Sequence, residues 1–239
     1  MITWSQSALK DIGCPRRWYD VWIDGNKLPP TPPMEKGLFF ETLCLGASAH
    51  GDGTESLPLV RGGKKSADQI RIEQQAARFK RMVDPTSSEF VGWEVDERQL
   101  VLEHNNIRGV IDFTSKPDVV WDLKLTASLD GYWSGEVDLT QQITYKWLYE
   151  QIRGVSPEMY LMIFEYETRM RVKIVEVKIS EAATQGVLDR FSKADLDIKE
   201  YSMLSEFPRV PSRDQCSKCS LPCQVRNARP GIIYETYEI

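Results

Sequence analysis

Short apolar runs bounded by turn residues occupy the middle of the chain, and segments with helical periodicity flank them on both sides. Helices place apolar residues three or four positions apart on one face, whereas alternate side chains of a strand point to opposite faces. The order of these patterns predicts an α/β fold with a mixed sheet. The predicted helices cover residues 34–49, 67–83, 139–151 and 181–204, and the predicted strands cover 90–95, 99–103, 107–114, 119–125, 159–166 and 170–179.

Turn residues separate these elements. Asn105 and Asn106 predict a tight hairpin turn between two strands, because asparagine tolerates the left-handed backbone that such turns require. Residues 28–33 are rich in proline and are expected to form an extended connector, with two short helices before it. Residues 51–65 are rich in glycine and poor in apolar residues, which predicts a mobile loop.

Two neighbouring predicted strands each contain a carboxylate after an apolar run. Asp112 lies in the first strand, Asp122 follows ten residues later, and Lys124 comes two positions after that. A turn at 115–118 would bring Asp112 beside Asp122, and strand alternation would point Asp122 and Lys124 to the same face. Two adjacent carboxylates form a hard-oxygen site of the kind that Mg²⁺ or Mn²⁺ prefers. Because a lysine there can orient water or stabilise a phosphate, the pattern indicates metal-assisted cleavage of a phosphodiester.

Composition narrows the class of protein. The chain has 239 residues, of which 41% are hydrophobic, enough for one sizeable domain or one domain with a small appendage. No apolar run approaches the roughly 18 residues of a membrane span, and the N-terminus lacks a signal-peptide pattern. We therefore expect a cytoplasmic protein without a membrane partner. The net charge of −5 and the pI of about 5.3 argue against a broadly basic nucleic-acid coat, although a local basic patch can still bind DNA.

The cysteines are concentrated near the chain ends. Four of the five lie there, whereas Cys44 falls among apolar residues of a predicted helix and is expected in the core. In an intracellular protein, clustered cysteines bind metal more often than they form disulfides. Four thiolates suit a 4Fe–4S cluster and tetrahedral zinc equally well. The four terminal cysteines are Cys14, Cys216, Cys219 and Cys223.

The motifs around Asp112 and Asp122-Leu123-Lys124 resemble the signature of the PD-(D/E)XK nuclease superfamily. Gln141 and Tyr145 lie four residues apart on the next predicted helix, and this spacing resembles the Gln-x-x-x-Tyr motif of the RecB-like branch. In that branch the glutamine and the tyrosine line the active site. The resemblance implies a restriction-endonuclease-like core, in which helices flank a mixed central β-sheet.

Two positions around this motif set remain open. Gln142 is the alternative register for the helix glutamine. Glu41, in Gly37-x-x-x-Glu41, occupies the position where RecB-like nucleases commonly carry a histidine that binds metal. Glutamate is also a hard-cation ligand. The resemblance implies that one or two Mg²⁺ or Mn²⁺ ions are held by Glu41, Asp112, Asp122 and the Leu123 carbonyl.

The opening of the chain, with Cys14-Pro-Arg-Arg-Trp18 after a Trp-Ser-Gln-Ser run, resembles the iron–sulfur exonucleases. These include the CRISPR-associated RecB-like exonucleases and the nuclease domain of the AddB helicase subunit. The resemblance implies a 4Fe–4S cluster on one cysteine near the start and three near the end. Zinc is the alternative, because the last cysteine gap is shorter than is usual in that family. The cluster ligands would be Cys14, Cys216, Cys219 and Cys223.

Such a cluster would staple the two ends of the chain together. It implies a single nuclease domain over residues 1–239, with a core at about 85–205. The N- and C-terminal segments, 1–33 and 206–239, would form a helical cluster subdomain.

The combined motifs imply a metal-dependent deoxyribonuclease and favour a single-stranded-DNA exonuclease in recombination, repair or CRISPR spacer processing. A phage-encoded protein acting in the host cytoplasm fits equally well. Lys124 would position or deprotonate the attacking water, while Gln141 and Tyr145 would orient the DNA strand. Expected partners are DNA with free ends and a helicase, integrase or recombination protein. Candidate DNA contacts are Arg16, Arg17 and Trp18.

Two alternatives stay open for the function. The chain could be a RecB-like DNA-binding or assembly subunit that is catalytically weak or inactive, an idea that the glutamate at position 41 keeps alive. It could also be a zinc-stapled endonuclease of the same superfamily.

Overall fold

Five strands form one mixed sheet in the spatial order β1-β2-β3-β4-β5. The computed structural model describes residues 2–26, 29–46, 57, 63–116, 118–132, 138–204 and 207–208. Neighbouring strands are antiparallel except β3 and β4, which run parallel. The strands are β1 (Arg98–His104), β2 (Ile107–Ser115), β3 (Val119–Thr126), β4 (Glu158–Glu165) and β5 (Val172–Glu176).

The described residues also form seven helices. Parallel strands need a crossover connection, and α5 and α6 supply it between β3 and β4. None of the helices in the described ranges is long and apolar enough to cross a membrane. The helices are α1 (Gln6–Asp11), α2 (Pro15–Trp22), α3 (Pro32–Leu45), α4 (Ala67–Met82), α5 (Leu129–Tyr132), α6 (Thr140–Arg153) and α7 (Glu181–Leu204).

The main apolar core lies on the face of the sheet that α3 and α4 cover. Phe39 and Phe40 of α3 and Phe79 of α4 pack there against side chains of β2, β3 and β4. In β3, Trp121 and Leu123 belong to this core. Since strand side chains alternate, the intervening Asp122 and Lys124 point to the opposite face, where α6 packs.

Helix α6 approaches β2 closely at Gly109. A Cβ atom added at Gly109 would lie 2.9 Å from both the Tyr145 ring and Leu148 Cδ1. Both contact residues are buried, and Leu148 is 0% exposed. Glycine at this position therefore lets α6 lie directly against the strand that carries Asp112.

A buried polar cluster anchors the far end of β4. The Glu165 carboxylate is 0% exposed and accepts hydrogen bonds from Arg171 Nε at 2.9 Å, Thr168 Oγ1 at 2.8 Å and the Leu129 backbone N–H at 3.1 Å. Arg171 Nη2 also donates to Asp130 Oδ2 at 3.1 Å. The cluster thus ties the β4–β5 hairpin to α5, which follows β3.

The mixed central sheet with flanking helices was predicted from the sequence and is confirmed. The turn at Asn105 and Asn106 is also confirmed, since both have a positive φ, of 47° and 62°. The prediction of a strand at 90–95 is wrong. This segment is irregular and packs its side chains onto the core, where the Trp93 ring lies edge-on to Trp121 with ring centroids 4.9 Å apart. Most of the predicted loop at 51–65 lies outside the described residues.

The chain divides into two compact units. The first unit spans Pro30–Thr184 and holds the sheet. The second is formed by the described residues within 2–29 and 185–208. Within the second unit, Trp4 stacks on Trp18 with ring centroids 5.4 Å apart and donates to Asp195 Oδ1 at 3.3 Å. The predicted boundaries of the nuclease core and of the cluster subdomain stay a prediction.

Candidate active site

The strands β2 and β3 separate at Asp112. Their ladder ends with Phe113 opposite Trp121, and the same register would place Asp112 opposite Asp122. Beyond that point the Leu123 backbone N–H donates to Asp112 Oδ2 at 2.6 Å. The Asp112 side chain therefore takes the place of a backbone acceptor between the two strands. The structure brings Asp112 and Asp122 close enough to interact electrostatically.

Lys124 joins β3 to α6. Its Nζ lies 2.8 Å from Asp122 Oδ1 and 2.7 Å from Asp122 Oδ2. The same nitrogen donates to Gln141 Oε1 at 3.1 Å. The Asp122 side chain is fully buried, while 29% of the Lys124 side chain is exposed. The lysine thus presents a cation at the accessible edge of a buried carboxylate.

Two adjacent glutamines of α6 reach this site. Gln141 Nε2 donates to Tyr145 Oη at 2.7 Å, one helical turn further on. Gln142 Nε2 donates to Asp122 Oδ2 at 2.9 Å. The sequence offered Gln141 and Gln142 as alternatives, whereas in the structure both contact the site, because successive side chains of a helix are separated by about 100°.

The site concentrates negative charge in a buried position. Burial raises the pKa of Asp112 well above its usual range, and the neighbouring Asp122 and Glu41 carboxylates raise it further. Burial, followed by Asp112 and Asp122, also raises the pKa of Tyr145 well above that of a free tyrosine. Asp112 is therefore poised to take up a proton or a cation, and the Tyr145 hydroxyl keeps its proton at neutral pH.

Glu41 lies at the border of the site. Its Oε1 accepts a hydrogen bond from Gln99 Nε2 at 2.7 Å, and its charge contributes to the raised pKa of Asp112. Gln99 has a φ of 50°, a conformation that interrupts the regular geometry of β1. The sequence did not predict this contact of Gln99, because no local pattern marks a strand glutamine whose side chain bonds to a residue of helix α3.

The donor set suits a divalent cation. Asp112 and Asp122 supply carboxylate oxygens, and the charge repulsion that raises the pKa of Asp112 is the kind that a bound cation relieves. Next to this pair, Gln142 Oε1 is buried and has no hydrogen-bond partner within the described ranges. Among the described residues, no group of three or more histidine, cysteine, aspartate or glutamate side chains is close enough to hold an ion. Asp112 and Asp122 are the two carboxylates that could hold a cation here, and the Gln142 oxygen lies beside them.

The predicted DNA contacts near the N-terminus lie in the second compact unit. Arg17 pairs with Asp11 at 3.0 Å, and Arg16 pairs with Asp20. Trp18 is 1% exposed, so its ring is not available in this structure for stacking on a base.

Cys14 is the N-cap residue of α2, directly before Pro15. Cys44 is buried in the core, as expected. The other three predicted cluster ligands lie outside the described residues, so the cysteine cluster stays a prediction. They are Cys216, Cys219 and Cys223.

Comparison with solved structures identifies a similar fold. The chain resembles a crystal structure from Eubacterium rectale described as a "putative exonuclease", with a TM-score of 0.67 and 14% sequence identity. The match covers 98% of this chain and 90% of the other. No protein-family model and no curated protein matches the sequence. At this identity the likeness shows the fold alone, over nearly the whole chain.

Proposed function

We propose that the chain is a metal-dependent deoxyribonuclease of the PD-(D/E)XK type. The observation that carries the proposal is the position of Lys124, held between the buried Asp122 and Gln141 beside a second buried carboxylate, Asp112. A cation-binding carboxylate pair and a tethered ammonium group are the components that hydrolysis of a phosphodiester requires. A merely structural ion pair would not need the second carboxylate, whose burial is unfavourable.

The cation would be Mg²⁺ or Mn²⁺, bound to Asp112 and Asp122, with the Leu123 carbonyl as a further oxygen donor. Glu41, the third carboxylate that the resemblance implies, accepts a hydrogen bond from Gln99 at the border of the site and would join the ligands only if its side chain moved closer. When bound, it would polarise the scissile phosphate and lower the pKa of water. The remaining steps belong to the side chains of the chain itself.

Lys124 would orient the attacking water and neutralise charge on the phosphate, because its ammonium group is fixed by Asp122 and Gln141. The water oxygen attacks phosphorus, its proton is lost to solvent, and the phosphorus–oxygen ester bond breaks. The leaving oxygen takes up a proton, which gives one hydroxyl end and one phosphate end. Tyr145 keeps its proton and can donate it in a hydrogen bond to a phosphate oxygen.

The finer assignment is a RecB-like, iron–sulfur exonuclease that acts on single-stranded DNA or free DNA ends. It is supported by the Gln141 and Tyr145 spacing on α6 and by the cysteine pattern of the sequence. The description of the structural neighbour as a "putative exonuclease" supports the exonuclease part of this assignment. Recombination, repair and CRISPR spacer processing are the pathways in which a helicase or integrase partner would be expected.

The test compares Lys124→Ala with Lys178→Ala, whose lysine side chain is 84% exposed. End-labelled single-stranded DNA is incubated with each protein and Mn²⁺, with EDTA as a further control. We expect wild type and Lys178→Ala to cleave, and Lys124→Ala or EDTA to reduce cleavage by at least about a hundredfold. Undiminished cleavage by a folded Lys124→Ala protein would overturn the assignment. DNA binding by wild type without any cleavage would favour the non-enzymatic assembly subunit instead.

A further inference from the structure

The side chain of Gln142 is buried beside the carboxylate pair. Among the described residues only its Nε2 end, and not its Oε1 end, forms a hydrogen bond. The residue is 3% exposed, and its Nε2 donates to Asp122 Oδ2 at 2.9 Å. Its Oε1 is buried and has no hydrogen-bond partner among the residues that the structure describes. A buried polar atom without a partner is unfavourable, so native proteins rarely retain one without a reason.

The orientation of the amide follows from its neighbour. Asp122 forms an ion pair with Lys124, and an ionised carboxylate can only accept hydrogen bonds. The NH₂ group of Gln142 must therefore face Asp122, which leaves the carbonyl oxygen as the unpaired end. Exchanging the two ends of the amide would set two acceptors against each other.

The described part of the chain provides no hydrogen-bond donor for this oxygen. A divalent cation bound by carboxylates usually keeps several water molecules, and these waters are donors. Side chains that contact the metal ligands and their waters set metal affinity, and their loss typically weakens binding about 10- to 100-fold. The chemistry that Gln142 Oε1 lacks is thus the chemistry that a hydrated cation would bring.

We propose that Gln142 is a positioning residue of the cation site: its Nε2 holds Asp122 in place, and its Oε1 accepts a hydrogen bond from a water of the bound divalent cation. This inference rests on the proposed function, because it requires a cation at Asp112 and Asp122. It separates the two glutamines by role, since Gln141 contacts Lys124 and Tyr145 instead.

The experiment measures Mn²⁺ binding to the full chain without DNA, by the electron paramagnetic resonance signal of free Mn²⁺. Gln142→Met removes both polar ends while keeping the length of the side chain. Gln151→Met is the matched control, because Gln151 is an exposed glutamine of the same helix. Thermal unfolding in EDTA checks that each variant folds, and Gln142→Asn serves as a second variant if the methionine variant does not.

We expect Gln142→Met to raise the dissociation constant of Mn²⁺ about tenfold and Gln151→Met to leave it unchanged. A purely structural role would lower the melting temperature without changing the dissociation constant of Mn²⁺.

The outcomes separate this inference from the proposed function. If wild type binds Mn²⁺ and cleaves DNA, and Gln142→Met binds Mn²⁺ within twofold of wild type, Gln142 is not a positioning residue and the nuclease assignment stands. If wild type neither binds Mn²⁺ nor cleaves DNA, the nuclease assignment fails and takes this inference with it.

Discussion

The Leu123 backbone N–H donates to the Asp112 carboxylate at 2.6 Å, so a side chain of β2 satisfies the backbone of β3 where the two strands separate. This single contact explains why a buried acid can be retained here: one oxygen replaces a ladder acceptor. The accumulated negative charge next to Asp122 and Glu41 remains unfavourable.

Asp112→Asn should stabilise the protein in the absence of metal. Asparagine keeps an oxygen for the Leu123 N–H but removes the buried charge. Because the folded-state pKa of Asp112 is raised, its ionisation lowers wild-type stability as pH rises from the unfolded pKa of about 3.9 through the folded pKa. In EDTA, at a pH above the folded pKa of Asp112, the variant should melt at a higher temperature than wild type. The expected difference is about 2–4 °C for each kcal/mol that removing the buried charge contributes to stability.

Mg²⁺ provides the second half of this test. It should raise the melting temperature of wild type, since a ligand of the folded state stabilises it, but it should have little effect on Asp112→Asn. Asp189→Asn is the control, because Asp189 is an exposed residue of α7. Equal melting temperatures of wild type and Asp112→Asn at every pH would show that burial of this charge is not costly.

Gly109→Ala should destabilise the fold. The new methyl group would lie 2.9 Å from the Tyr145 ring and from Leu148 Cδ1, both on α6, so the helix or the ring must move. Overpacking of this kind costs about 1–3 kcal/mol, and movement of Tyr145 should also lower nuclease activity. Urea unfolding and the cleavage assay measure the two effects.

Gly186→Ala is the matched control with the opposite expected sign. Gly186 lies inside α7, and apart from the helix's own backbone no described atom lies within 4 Å of a Cβ added there. Alanine in an open helical position should stabilise by about 0.5–1 kcal/mol. If both glycine variants changed stability equally, the close approach of α6 at Gly109 would not be the cause.

Glu165→Gln should destabilise the chain at neutral pH and lose this effect in acid. Hydrogen bonds from Arg171 and Thr168 hold the pKa of Glu165 well below its usual range. A depressed pKa contributes stability above the unfolded value of about 4.3, and this contribution is lost as pH falls below it. The melting temperature of the variant should therefore lie several degrees below that of wild type at pH 7, with the gap narrowing towards pH 3.

Glu158→Gln controls for the loss of one charge, because Glu158 is an exposed residue at the other end of β4. If the melting temperatures of Glu165→Gln and wild type differed by the same amount at pH 7 and pH 3, the depressed pKa of Glu165 would not be the source of the stability.

The sequence by itself determined most of the local structure. Apolar periodicity located α4, α6 and α7 and every strand of the sheet, although it also predicted a strand at 90–95 that the protein does not form. The two-residue spacing of Asp122 and Lys124 placed them on one face, because backbone geometry makes strand side chains alternate. Likewise the pair Asn105–Asn106 determined a turn, since few residues adopt its backbone angles.

Only the tertiary structure decided which of these residues meet. The contact of Gln142 with Asp122, the bond between Gln99 and Glu41, and the insertion of Asp112 between two strands depend on how separate elements pack. Glu165 lies at the end of an ordinary apolar strand, and only the fold supplies its partners. The physical reason is that periodicity reports the local backbone and its buried face, whereas contacts across 11 to 58 residues of chain are determined by packing and register.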